Sequence, residues 1–300
     1  MDYQTFLAEI KQYFSDYFGE QAMISIQHVL KNNTLELDAV SIMEQGHHIA
    51  PSIYLNDYYK DFKEGNLTFH QITSEILQIH TTHCPPQTLD ANFYSSFHLI
   101  KNNIVFKLIH YRSNQELLSQ VPHVPYLDLA ICFCYYLENF NEQSGSILIR
   151  NEHIKSWNIS CRDLYEAALQ NTPELFPYSL KSMETILQSI WPQSDCDSFY
   201  QWNTKEAASM YVLSNQKDFY GASAILYPDL LKKLGRRFRC SFYVIPSSIH
   251  EVILVPDKDL NPDCDLSSII QTVNSEHVPM EDVLSDHAYY YDMNQEILTM

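Results

Sequence analysis

Apolar positions recur every three or four residues from Tyr3 to Phe18. Tyr3, Phe6, Leu7, Ile10, Tyr13, Phe14, Tyr17 and Phe18 follow this spacing, and Gly19 comes next. The pattern predicts an amphipathic helix that ends at the glycine. The period then changes. MISIQHVL (23–30), the polar Lys31-Asn32-Asn33 and TLELDAVSI (34–42) read as two strands and a turn, a β-hairpin, and PSIYL (51–55) adds a strand. NLTFHQITSEILQIH (66–80) returns to helical spacing, with Phe69, Ile72, Ile76 and Ile79 on one face and Asn66 as its cap. CPPQTLD (84–90) breaks the pattern, because adjacent prolines remove donors and restrict the residue before them.

After a helix expected at 89–100, three strand-like runs follow: IVFKLIHY (104–111), YLDLAICFCYYLE (126–138) and GSILIRN (145–151). SCRDLYEAALQN (160–171) opens with a capping signature from Ser160 to Asp163, and LKSMETILQSIW (180–191) repeats an apolar helical face. PQSDCDSFYQWNTKE (192–206) is polar and reads as a linker. Beyond it SMYVLSN, GASAILY, CSFYVIP, HEVILVP and HAYYYD read as strands, with PDLLKKLGRR and LSSIIQTVN as helices. Strands and helices mix without βαβ alternation. The expected class is therefore α+β, mainly antiparallel sheet with packed helices, in an N-terminal module 1–191 and a C-terminal module 207–300.

Composition changes this picture in three ways. With 45% hydrophobic residues and only 6 glycines in 300 residues, the chain can bury a large core. Its formal net charge of −18 argues against general nucleic-acid binding and against docking on anionic membranes. From Asp257 to Met300 ten acidic residues face one base, Lys258, so this segment carries −9. It reads as a solvated face, or as an acidic surface that meets a basic protein partner or imitates nucleic acid. No window approaches 18 apolar residues, and MDYQTFLAEIKQYF lacks a leader pattern. Seven cysteines without CxxC fit reduced thiols, so the expected location is the cytoplasm.

Candidate chemistry is sparse. PSSIHEVILVP (246–256) carries the residue types of nucleophilic catalysis in Ser247, Ser248, His250 and Glu251. It lacks the G-x-S-x-G elbow, and Leu254 stands where a zincin would need its second histidine. The apolar run 252–255 instead reads as a buried strand fed by a polar turn. A triad assembled in three dimensions would draw on Ser247, Ser248, His250, Glu251, Asp286 and His287. QIHTTHCPP (78–86) is the best metal candidate, since His80, His83 and Cys84 share a helical face, although Pro85 disfavours helical geometry at Cys84.

Other motifs carry less. Cys132 and Cys134 sit among Ile131, Phe133 and Tyr135 and read as buried small hydrophobes. DKDLNPDCDLSS (257–268) has Pro262 and Ser268 where a calcium loop needs glycine and glutamate. Lys232, Lys233, Arg236, Arg237 and Arg239 complement a helix C-terminus, with Gly235 placed to end that helix; a small anion or the acidic C-terminal segment are alternative partners. No phosphate-cradling loop appears, and no cofactor is expected.

The chain resembles a bacterial family of unknown function numbered 5688. The resemblance rests on LKNNTLEL (30–37), PSIYLNDYY (51–59) with Glu64-Gly65, VPHVPYLDLA (121–130) and LYEAALQNTPELFP (164–177). It continues through MYVLSN (210–215), GASAILYPDLL (221–231), FYVIPSSIHEVILVP (242–256) and LSDHAYYYD (284–292). It implies a cytoplasmic bacterial protein, in some members linked to mobile elements, and brings no activity or catalytic residues. The first expectation is thus a non-catalytic binding or regulatory protein with an acidic C-terminal interaction surface. The alternatives are a hydrolase around Ser247, Ser248 and His250, or a metal-binding protein using His80 and His83.

Overall fold

The computed structural model describes residues 1–47, 49–84, 94–140, 143–190, 209–260 and 265–300. The expected linker 192–206, residues 85–90 of the proline-rich break and positions 261–264 of the calcium-like loop lie outside the described residues. The fold is α+β with three antiparallel sheets. The chain forms two compact units, Met1–Ile100 with Tyr136–Ile147, and Lys101–Tyr135 with Leu148–Met300.

In the first unit, α1 (Tyr3–Phe18) starts where the Asp2 carboxylate accepts the Thr5 N–H at 2.8 Å. The expected hairpin is present. β1 (Ala22–Leu30) and β2 (Glu36–Glu44) pair antiparallel from Leu30↔Glu36 to Ala22↔Glu44. Asn33 lies in the left-handed region, which asparagine tolerates, and lets the chain reverse. β3 (Ile53–Tyr54) adds to β2. α2 (Asn56–Glu64), which the sequence reading did not assign, packs Tyr58, Tyr59 and Phe62 against the core of this unit.

The next helix, α3 (Phe69–His83), has its cap two residues later than its pattern suggested. Thr68, and not Asn66, is the cap: Thr68 and Gln71 form a reciprocal capping box that satisfies two helix-end donors. Phe6, Ile10 and Phe14 of α1 meet Val40 and Ile42 of β2 and Ile72 and Ile76 of α3 in one buried core. Truncating a fully buried isoleucine such as Ile76 to alanine would cost about 3 kcal/mol. Of the helix expected at 89–100, only α4 (Phe97–Ile100) is helical among the described residues, and residues 94–96 before it are not helical.

The second unit holds a six-stranded sheet and most of a four-stranded one. In the latter, β4 (Ile104–His110) and β5 (His123–Tyr126) flank β6 (Leu129–Phe140), and β7 (Gln143–Leu148) also pairs with β6. The end of β6 from Tyr136 belongs, with β7 up to Ile147, to the first unit. The run expected as one strand from 126 to 138 thus breaks at Leu127 and Asp128, where Leu127 adopts φ +54. α5 (Gln115–Gln120) and α6 (Asn151–Trp157) are short. α7 (Cys161–Leu175) opens with the Ser160–Asp163 capping box expected from the sequence. It packs on β4 through buried Thr172, whose Oγ1 donates to the Ala168 carbonyl and accepts the Phe106 N–H at 3.2 Å.

The six-stranded sheet runs β13-β12-β10-β11-β9-β8, with every neighbour antiparallel. Its members are β8 (Tyr178–Ser182), β9 (Tyr211–Asn215), β10 (Phe242–Ile245), β11 (Val252–Pro256), β12 (Tyr289–Asp292) and β13 (Ile297–Thr299). β8, which precedes the expected linker, pairs with β9, which follows it. α8 (Met183–Ile190) follows β8, so the sequence 180–191 is strand and then helix.

GASAILY is not a strand. Gly221–Leu226 form a buried 3₁₀ turn, entered through Tyr220 at φ +52. A side chain at Gly221 would collide with Ser214 Oγ and the His250 carbonyl, and that close approach turns the segment out of the sheet. α9 (Leu230–Phe238) passes through Gly235, which lies against Tyr291 and Met293, and stops at left-handed Arg239. Lys232 of its basic cluster meets Glu296 of the acidic segment at 2.6 Å. α10 (Leu266–Glu276) is capped by Asp265. Among the described residues no helix is long and apolar enough to cross a membrane.

Candidate functional site

Three polar constellations gather the residues singled out by sequence. The first lies in the N-terminal unit. β2 ends at Glu44, the chain turns at Gly46 with φ +83, and His47 follows. α3 brings His80 to the same place on its last turn. It stops before Cys84, which is extended at ψ 124 as a residue preceding proline should be. His80 is 2% exposed, and its Nε2 lies 2.8 Å from Glu44 Oε1. The Phe18 ring meets the imidazole edge-on at 5.8 Å, and His80 Nδ1 is a buried nitrogen with no hydrogen-bond partner. Cys84 Sγ stands 3.3 Å from His47 Nδ1.

One ligand atom each from Glu44, His80 and Cys84 lies within 4.8 Å of the others, and this is the one such group of three among the described residues. Of the expected set, His80 and Cys84 converge. His83 does not join them, its Nδ1 facing the Ile79 carbonyl at 2.8 Å. Glu44 and His47 escaped the sequence reading, since only the tertiary fold brings the E-x-x-H after a strand to the H-x-x-x-C ending a helix.

The chemistry of the set is that of a cation site. Burial, and then the Glu44 charge, push the Cys84 thiol above its ordinary range, so it is protonated at neutral pH. It also sits at a helix C-terminus, the negative end of the dipole, which disfavours a free thiolate. A nucleophilic cysteine needs the opposite surroundings. A metal ion, which deprotonates a coordinating thiol outright, is favoured there instead. Ligands about 2.0–2.3 Å from one tetrahedral ion sit roughly 3.3–3.8 Å apart, so small rotations from the present contacts suffice.

The second constellation is the turn at Ser247–Glu251. It feeds β11, as the apolar run predicted. Ser248 Oγ accepts the His250 N–H at 3.0 Å and Ser248 N–H donates to the Glu251 carbonyl at 3.1 Å, so the serine serves the backbone of the turn. His250 Nε2 lies 3.5 Å from Asp282, and its ring stacks on Tyr220. Burial, followed by the charge of Asp218, raises the Glu251 carboxyl.

The third is centred on Asp128, in the turn between β5 and β6. Its Oδ1 accepts the Tyr289 hydroxyl and its Oδ2 the Ser285 hydroxyl, both at 2.6 Å. His287 Nδ1 lies 3.4 Å and His110 Nε2 3.9 Å from Oδ2. Asn274, 8% exposed on α10, donates to the Ser285 carbonyl and to Asp286 Oδ1, which fixes the loop. Thus Asp286 braces a loop, and His287 meets a carboxylate that the sequence did not single out. Leu127 at φ +54 is unusual for a bulky residue, and it stands immediately before Asp128.

No curated protein and no solved structure matches the chain. A family model described as "Family of unknown function (DUF5688)" matches residues 3–293, and the chain belongs to that family.

Proposed function

We propose that the protein binds a first-row transition metal, with Zn²⁺ the best fit, through Glu44, His80 and Cys84, and with His47 as the fourth ligand. The observation that carries this reading is the convergence of carboxylate, imidazole and thiol within 4.8 Å around an imidazole that is 98% withdrawn from solvent. Sulfur, nitrogen and oxygen donors together suit a borderline ion, and four protein ligands make a closed, structural type of site. The ion would tie the end of β2 to the end of α3, and its binding energy would stabilise the N-terminal unit.

Cobalt(II) substitution tests the reading. A thiolate-to-cobalt charge-transfer band is expected in the near ultraviolet, together with the visible bands of a tetrahedral ion. Cys84→Ser should remove the first and His80→Ala should weaken both. A spectrum equal to that of hydrated cobalt, unchanged by Cys84→Ser, would contradict it.

A second reading keeps the chain as a binding protein for a basic partner. Ile269 and Val273 favour it: they are exposed one turn apart on α10, inside the segment that carries −9. Replacing both by aspartate should abolish association with a basic amphipathic peptide and leave the cobalt spectrum intact. Equal peptide binding by the variant would dispose of this reading.

A further inference from the structure

We infer that Asp128 and His287 form an acid–base pair in the second unit, with His287 Nε2 as the proton acceptor for a hydroxylic ligand, water or an alcohol. Four observations support it. Asp128 Oδ2 lies 3.4 Å from His287 Nδ1, so Nδ1 is the ring nitrogen that faces the carboxylate and Nε2 is the one left for a ligand. The His287 side chain is 55% exposed and the Asp128 side chain 15%, so the imidazole meets solvent while its carboxylate is sheltered.

The carboxylate is also held in place. Tyr289 and Ser285 each donate to one of its oxygens at 2.6 Å, which fixes the orientation of the carboxylate. Finally, the loop bearing the histidine is built around the same group. Ser285 Oγ accepts the His287 N–H at 3.0 Å while donating to Asp128, and Asn274 braces Ser285 and Asp286 from α10. A side chain held by its neighbours in this way is pre-organised.

The step this permits is a single proton transfer. The O–H proton of the bound water or alcohol moves to Nε2, the electron pair stays on oxygen, and the new imidazolium charge faces Asp128. Asp128 is therefore a positioning residue, acting through His287. His110 Nε2, 3.9 Å from Asp128 Oδ2, is the other titratable group on this carboxylate. The pair lies in a different compact unit from the metal ligands, so neither proposal rests on the other.

Two measurements on the unaltered chain test the pair. Nitrogen-15 NMR, with the resonance assigned through His287→Gln, should show neutral His287 protonated on Nδ1 and bare on Nε2. Diethylpyrocarbonate at pH 8, read residue by residue by peptide mass mapping, should modify His287 about fivefold faster than His277, whose side chain is 72% exposed. A His287 protonated on Nε2, or one that reacts no faster than His277, would overturn the pair.

Discussion

Tyr289 and Asp128, 161 residues apart in the chain, meet at 2.6 Å, with the phenol donating to a carboxylate oxygen. Burial first, and this hydrogen bond second, push the Tyr289 pKa far above the ordinary tyrosine value. The raised folded pKa means that the native state holds the proton more tightly than the unfolded chain does. The stability it contributes is complete below the unfolded value of about 10 and is lost as pH rises beyond it, at up to about 1.4 kcal/mol per pH unit. Tyr289→Phe should cost about 2 kcal/mol at pH 7 and flatten the alkaline limb of a urea-unfolding series. An unchanged limb would show that Tyr289 does not carry the linkage.

Gly221 is required for space. A Cβ there would collide with Ser214 Oγ and the His250 carbonyl, and would lie 2.9 Å from the Asn215 amide nitrogen. Backbone cannot yield as a flexible side chain does. Gly221→Ala should destabilise the protein by about 3 kcal/mol, visible as a lower urea midpoint at constant slope. A change under about 0.5 kcal/mol would mean that the 3₁₀ turn moves freely.

The cysteines should separate by reactivity. Cys132 is fully buried on β6, its thiol pushed up to about 12 chiefly by burial, and Cys134 is buried two residues on. Iodoacetamide at pH 8 should leave both unmodified in the native protein. Cys84, partly exposed, should be labelled slowly after chelation and protected by added Zn²⁺. Equal labelling of Cys84 with and without Zn²⁺ would remove the thiol from the proposed ligand set.

These sites were legible in the sequence to different degrees, for physical reasons. Period and capping chemistry are local. They yielded α1, the β1–β2 hairpin, the Ser160–Asp163 box of α7 and the strand after Ser248. The turn at Leu127–Asp128 left no signal, because neither residue is the glycine or asparagine that usually marks a left-handed position. Its concealment inside one apolar run hid Asp128, the carboxylate that His287 meets. The start of α3 was misplaced at Asn66 although Thr68 and Gln71 spell a capping box. GASAILY has strand-like composition, but the crowding at Gly221 decides its shape, and that crowding comes from residues 214 and 250. The metal set was half visible: the i, i+4 relation of His80 and Cys84 is local to one helix end, while Glu44 arrives from the end of β2.

The most direct test of the metal centre is native mass spectrometry on protein purified without chelator, with the His80→Ala/Cys84→Ser double variant beside it. One transition-metal ion per wild-type chain, and none on the variant, is the expected result. A wild-type chain that retains no ion after equilibration with stoichiometric Zn²⁺, or a variant that retains it equally well, would contradict the assignment.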